Sequence, residues 1–349
     1  MRTARYCILR LCIAALLSSC LCVSALAADS AVSQHLTGVN LPNAGFGHKV
    51  VPGKHGTNYL WPTPQDVDMY ADIGANVLRI AFLWERMQPV LSGPLAKDEL
   101  ERLDALVARG ATRHVTILLD VHNYGSFNKI AIGTGNVPSA AFSDLWSRLA
   151  SHYRNAPNVA FGLMNEPFKH KAAEWAPIAQ EAILAIRKSG ARQLILVPGT
   201  RWSSAYSWLN KDGDLSNGEA LANIEDPANN FIFEAHQYFD SNSSGTQPSC
   251  VSEDIGVKRL SAFTEWLRQN GKQAFLGEFG ASKDPLCLEA LSRTLAFLRD
   301  NGDVWRGWTY WAAAPWFGDY MFNIYPPDPV RYPQVPVLMG AMRDREKMR

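Results

Sequence analysis

NVAFGLMNEP, residues Asn158–Pro167, is apolar from Val159 to Met164 and then presents an asparagine, a glutamate and a proline in succession. A strand with one wet face alternates apolar and polar positions. This one does not, which is the pattern of a parallel strand covered on both sides. Pro167 is expected to end the strand, because it has no N–H for a ladder. A glutamate at the end of such a strand either turns into solvent or is put to use. The rest of the chain decides between the two.

Seven further runs share its character: HLTGVN from His35, NVLRIAF from Asn76, HVTILLDVH from His114, RQLILVPG from Arg192, NFIFEAHQYF from Asn230, KQAFLGEFG from Lys272 and WRGWTYWAA from Trp305. Amphipathic helical stretches fill most of the gaps. PQDVDMYADIGA from Pro64 opens on proline and acids and closes at glycine, and KDELERLDALVARG from Lys97 repeats that polarity. The segment from Ser207 to Asn230 reads instead as a loop with one short helix. Eight strands alternating with helices predict a single (β/α)8 TIM barrel. An open doubly wound sheet is the alternative, but no glycine-rich phosphate turn follows the first strand.

The chain begins with three arginines, Arg2, Arg5 and Arg10, then an apolar run from Leu11 to Leu17 and the small residues of SALAAD. This is the pattern of an export signal cleaved after Ala27, leaving residues 28–349 as the catalytic domain. LSSC, ending at Cys20, loosely matches a lipoprotein box and is the alternative. The whole chain carries a formal charge of +1, and loss of the leader arginines brings it near −2. That balance argues against nucleic acid or an anionic membrane as partner. A monomer is expected. Outside the leader only Cys250 and Cys287 remain, and in an oxidising compartment they are expected to pair.

The ends of barrel strands are where chemistry sits. There the sequence places Arg79 on the second strand, Asp120, His122 and Asn123 on the third, Asn165 and Glu166 on the fourth, Glu234, His236 and Tyr238 on the sixth, Glu278 on the seventh and Trp311 on the eighth. Glu166 and Glu278 are 112 residues apart, the length of three βα units, so they face each other across the barrel mouth. Two facing carboxylates are the apparatus of glycoside hydrolysis, one donating a proton and one ionised. Arg79 would favour a charged carboxylate, and Tyr238 would donate a hydrogen bond to it. No HxH or HExxH spacing, Cys/His cluster or G-x-S-x-G elbow occurs, so neither a metal nor another cofactor is expected.

NVLRIAFLWERMQP, DVHNYG, MNEP, HQYFDSNSSGT, LGEFG and YWAAAPWFGDY, taken in order, resemble the strand segments of glycoside hydrolase family five, the cellulase family A, in its form also found in fungal endoglucanases. The resemblance implies a retaining endo-β-1,4-glucanase with Glu166 as acid/base and Glu278 as nucleophile. It implies Arg79, His122, Asn165, His236, Tyr238 and Trp311 as the supporting shell, β-glucan as substrate and no metal. Trp202, Trp311 and Trp316 are expected as stacking platforms for glucosyl rings. A Cys250–Cys287 bridge would tie two site-bearing loops together. No cellulose-binding module or linker is visible in the sequence, so soluble or amorphous glucan is the expected substrate. A β-mannanase, a xyloglucanase and a catalytically silent carbohydrate-binding barrel are the alternatives.

Overall fold

The computed structural model describes residues 35–347. The expected leader and Cys20 lie outside the described residues. Eight parallel strands close into a barrel: β1 Leu36–Leu41, β2 Val77–Phe82, β3 Thr116–Val121, β4 Val159–Gly162, β5 Ile195–Pro198, β6 Phe231–His236, β7 Ala274–Glu278 and β8 Trp305–Tyr310. β8 pairs with β1, Leu36 standing opposite Gly307, so the sheet has no free edge. All eight runs read as strands in the sequence are strands in the molecule.

A helix covers each strand: α1 Pro64–Asp72, α2 Lys97–Arg113, α3 Ser139–Tyr153, α4 Ala172–Lys188, α5 Asn217–Ala220, α6 Ile255–Gln269, α7 Pro285–Asp300 and α8 Gln334–Arg343, with a further single turn, Trp84–Met87, directly after β2. Their starts have chemical causes. Thr63 and Asp66 form a capping box around α1, with Pro64 in the first turn, where a missing N–H costs nothing. α5, a single turn, is the short helix expected in the irregular fifth unit.

α2 does not stop at Gly110, as its sequence polarity suggested. It runs on to Arg113 and ends at His114, whose φ of 55° is left-handed. Gly110 serves packing instead. A Cβ there would sit 2.8 Å from the Val115 carbonyl and 3.0 Å from Ile117, so its absence lets α2 lie close on β3.

A second correction concerns the opening stretch. The β4 ladder ends at Gly162, four residues before Glu166, rather than at Pro167. Backbone bonding nevertheless continues, from Leu163 N to Leu196 O (3.0 Å) and from Asn165 N to Val121 O (2.8 Å). The indole of Trp146, from α3, donates to the Leu163 carbonyl at 3.1 Å. Trp175, from α4, does the same for Pro198 at the end of β5, at 2.7 Å. Both tryptophans are fully buried, so the helices satisfy carbonyls that the sheet has released.

Two cores result. The larger lies between strands and helices. On α3 it takes Phe142, Leu145, Trp146 and Leu149, the spacing of one helix face. The smaller lies inside the barrel and consists of Val77, Leu118, Ala160, Leu196, Ile232 and Phe275. Side chains two residues apart on a strand share a face. Stepping by two from that apolar floor leads to Arg79, Asp120, Gly162, Pro198, Glu234 and Gly277, and once more to His122 and His236. The barrel therefore holds an apolar layer, a charged layer above it and a layer of reactive side chains at the mouth.

Candidate active site

The charged layer is built around Arg79, which is fully buried. Its Nε donates to Glu234 at 2.8 Å and its Nη2 to Asn165 Oδ1 at 2.9 Å. Its Nη1 lies 2.9 Å from Asp120, 3.0 Å from Asn40 Oδ1 and 3.1 Å from Glu278. A planar fork can hold several acceptors in fixed directions, which a lysine cannot. Burial alone would lower the guanidinium's proton affinity, but the surrounding carboxylates Asp120, Glu234 and Glu278 raise it. Asp120 is held below the usual carboxylate range: burial pushes it up, and the charge of Arg79 with the hydrogen bond from His122 outweighs that. Gly162 and Gly277 sit at the same level with no side chains. A Cβ on Gly277 would lie 2.2 Å from the Glu234 carboxylate, and one on Gly162 would press on the Leu119 carbonyl at 3.0 Å.

Above this layer, His122 Nδ1 lies 2.7 Å from Asp120 and so carries the hydrogen. Its Nε2 is left facing the Asn165 amide at 3.4 Å and the Tyr124 hydroxyl at 3.3 Å. Trp311 stacks on the same imidazole, with ring centres 5.7 Å apart and planes 11° from parallel.

The two glutamates stand in different company. Glu278 ends β7. One oxygen accepts from Arg79, and the other accepts from the Tyr238 hydroxyl at 2.7 Å. Glu166 follows the end of β4 in left-handed backbone, φ 42°, a conformation costly for a residue with a Cβ. It has no contact with Arg79. Its Oε1 meets His236 Nδ1 at 2.8 Å, and His236 Nε2 lies 3.3 Å from Glu234. Burial raises the Glu166 pKa and the charge of Glu278 adds to that, against the His236 hydrogen bond. Burial lowers His236, but the charge of Glu278 and the contacts to Glu166 and Glu234 outweigh it and push the imidazole up to about 10.

One oxygen each of Glu166 and Glu278 and a nitrogen of His236 lie within 4.8 Å of one another. Three such donors could hold a divalent metal. A metal would first have to displace the proton that His236 keeps through neutral pH.

The aromatic side chains extend the mouth in two directions. Trp202 is 56 % exposed and stacks on Phe168, itself 42 % exposed, at 5.3 Å and 12°. Trp202 sits within three consecutive left-handed residues, Arg201 to Ser203, tied down by a 2.8 Å bond from His236 N to Ser203 O. Trp316 is 51 % exposed, in the loop after β8, and its neighbour Phe317 is the ring that packs on Phe46 and Tyr320. Cys250 and Cys287 are bonded.

The structure thus brings Arg79, His122, Asn165, Glu166, His236, Tyr238, Glu278 and Trp311 together at the C-terminal end of the barrel, while Trp202 and Trp316 stand exposed on the loops after β5 and β8. Asp120 and Glu234 stand at strand ends in the sequence, where nothing assigns them a role. Each precedes a histidine by two residues, a spacing that puts both on the barrel interior. Asn40 was missed. It lies two residues after Gly38 on β1, and its amide bridges to the carbonyls of Gly277 (2.9 Å) and Thr309 (3.1 Å). Phe168, next to Pro167, was also missed.

The family model for cellulase (glycosyl hydrolase family 5) matches residues 34–314. Endo-beta-1,4-glucanase A of Emericella nidulans is 38% identical over 318 residues, 89% of this chain and 93% of that one. Among solved structures, the endo-beta-1,4-glucanase Xac0029 of Xanthomonas axonopodis pv. citri superposes with a TM-score of 0.86 at 40% identity, covering 90% of this chain and 100% of the other. The structure of XacCel5A in complex with cellopentaose has a TM-score of 0.86 at 42% identity, covering 88% and 99%.

Proposed function

The chain belongs to glycosyl hydrolase family 5, and from that premise we propose that it is an exported, retaining endo-β-1,4-glucanase working by double displacement. Glu166 gives its proton to the leaving glycosidic oxygen while Glu278 attacks the anomeric carbon. Glu166 then takes a proton from water, and the water cleaves the glycosyl–enzyme bond. The observation that carries this reading is the pairing of two glutamates in unlike surroundings, their oxygens within 4.8 Å. Retaining enzymes hold the carboxyls about 5–5.5 Å apart, and inverting ones leave about 6.5–9.5 Å for a water.

The surroundings support the division of labour. Glu278 is charge-paired with Arg79 and oriented by Tyr238, as an attacking carboxylate requires. Glu166 has its proton favoured by burial and by the charge of Glu278, against the hydrogen bond from His236. Asn165, pinned by Arg79 through its oxygen, holds its NH2 beside His122, where it would meet a sugar hydroxyl.

Because the proton donor marks the leaving-group side, the Phe168–Trp202 stack, which rises from the Glu166 loop and the loop after β5, belongs to the departing half of the chain. Trp311 lies beside His122 over the reacting ring, and Trp316 belongs to the opposite end of the cleft. Internal β-1,4-glucosyl bonds are the substrate, in keeping with the glucanase relatives. Among the described residues no helix is long and apolar enough to cross a membrane. Export rests on the leader sequence, and secreted protein should begin at Ala28.

Proton NMR of the first product formed from cellopentaose tests the mechanism. The new reducing end should appear as the β-anomer, and an α-anomer would overturn the reading. Glu278→Gln should abolish turnover and leave cellopentaose binding measurable. Faster reducing-end release from mannan or xyloglucan than from carboxymethyl cellulose would refute the substrate assignment.

A further inference from the structure

The loop between β6 and α6 packs on Tyr238, which among the described residues shares with Arg79 the hydrogen bonding of Glu278. Asp240, only 2% exposed, gathers this loop around its carboxylate. It accepts from Ser244 Oγ at 3.0 Å, Gly245 N at 3.1 Å, Thr246 N at 3.2 Å and Gln247 N at 3.3 Å. The turn thus formed carries Gly245, at φ +68°, against the Tyr238 ring. A Cβ there would lie 2.6–2.8 Å from three contiguous ring atoms, closer than real Cβ contacts come. Phe322 stacks on the same ring at 6.0 Å and 10°.

The loop is anchored on every side. Val251 N bonds Phe239 O at 3.0 Å, and Arg259 donates to the carbonyls of Tyr238 (2.6 Å) and Ser241 (3.3 Å). Ser282, four residues after Glu278, donates to Pro248 O at 2.6 Å, and the Cys250–Cys287 bond joins the loop to α7.

We propose that residues 240–250 form a clasp that fixes the Tyr238 hydroxyl on Glu278, with Asp240 and Gly245 as positioning residues for the nucleophile. The inference rests on Glu278 being the nucleophile. A tyrosine free to swing a fraction of an ångström would no longer hold the carboxylate oxygen in line for attack. Glycine at 245 lets the loop close on the ring, and Asp240 keeps the loop from opening.

The test is a double-mutant cycle on cellopentaose hydrolysis, with thermal unfolding recorded for every protein. Tyr238→Phe, Gly245→Ala and Asp240→Ala should each lower kcat by roughly ten- to a hundredfold, the range for losing one hydrogen bond to a charged group, with KM nearly unchanged. In the Tyr238→Phe background, Gly245→Ala and Asp240→Ala should cost no more than about threefold further, because the hydroxyl they position is already gone. Asp240→Asn, which keeps one acceptor oxygen, should restore part of the loss and carries the test if the alanine variants do not fold. Losses that multiply in the Tyr238→Phe background, or a folded Gly245→Ala with wild-type kcat, would overturn the clasp. Glu278→Gln separates the two claims: if it retains turnover, the nucleophile assignment itself fails. If it is inactive while the clasp losses multiply, only the clasp fails.

Discussion

Removing the positive charge of Arg79 should destabilise the fold by an amount that depends on pH in a calculable way. Glutamine is two bonds shorter and its amide reaches only as far as the Arg79 Nε that donates to Glu234, so Arg79→Gln deletes the charge and the contacts made by the two terminal nitrogens. Asp120, Glu234 and Glu278, each at most 4% exposed, lose the cation that lies within 3.1 Å of all three. Leaving one buried charge unpaired costs roughly 3–5 kcal/mol. Proton uptake sets a ceiling on that cost. Protonating a carboxylate of ordinary pKa near 4 takes about 4 kcal/mol at pH 7 and only about 1.4 kcal/mol at pH 5. The folded variant then binds a proton that its unfolded chain does not, so its stability relative to wild type falls as pH rises. The expected deficit is therefore about 4 kcal/mol at pH 7, shrinking to about 1.5 kcal/mol at pH 5. Urea unfolding followed by tryptophan fluorescence at both pH values measures it. A deficit below about 1 kcal/mol at pH 7, or one equal at the two pH values, would refute the view that Arg79 is the counter-charge of the barrel interior.

His236 sets an alkaline limit. Its pKa is raised from the ordinary 6.5 to about 10, so its stabilising contribution is complete below about pH 6.5 and lost as pH rises through 10. The urea midpoint of wild type should fall across that window, and His236→Gln should flatten the decline; an unchanged slope would exclude the assignment. Trp202→Ala should raise KM for cellopentaose by roughly two- to tenfold with kcat little changed, as the loss of one stacking contact predicts. A variant with wild-type KM would remove Trp202 from the substrate path. Replacing both Cys250 and Cys287 by serine opens a link across 37 residues and should cost about 3–4 kcal/mol in the chain-entropy account. The reduced wild type should unfold with the double variant, and a variant as stable as the oxidised protein would show the bridge to be thermodynamically idle.

What was legible in the sequence follows from periodicity. Eight apolar runs without alternation specify buried parallel strands, and all eight are in the barrel. The i, i+2 rule carries further than it was first taken. Asp120 and His122, and Glu234 and His236, lie on the same faces of β3 and β6, so each acid must sit beneath its histidine on the barrel interior. Asn40 was illegible because its partners, the carbonyls of Gly277 and Thr309, lie more than 230 residues away and are brought close only by barrel closure. Gly110 misled for a related reason: glycine ends helices by tolerating left-handed backbone, but it also permits close approach, and only the neighbouring strand shows which is needed. The clasp was invisible for the same cause, since Gly245 is explained by an aromatic ring seven residues back and not by its own turn.

The departure at Glu166 bears on mechanism. Had β4 kept its ladder as far as Pro167, Glu166 would have followed the strand's alternation. Instead the ladder ends at Gly162 and the chain turns left-handed at Glu166, bringing its carboxyl to His236 and away from Arg79. Glu278 needs no such turn, because the last residue of β7 already reaches both Arg79 and Tyr238. A carboxyl in contact with the permanently charged Arg79 is poor at keeping a proton, and one away from it, whose pKa burial and the charge of Glu278 raise, is suited to giving a proton up and taking it back. In the proposed reaction the first step needs a proton on one side of the sugar and a charge on the other, and the second step restores both: a proton from water to Glu166 and the carboxylate charge to Glu278. The local backbone turn, more than the identity of the two residues, assigns which glutamate does which.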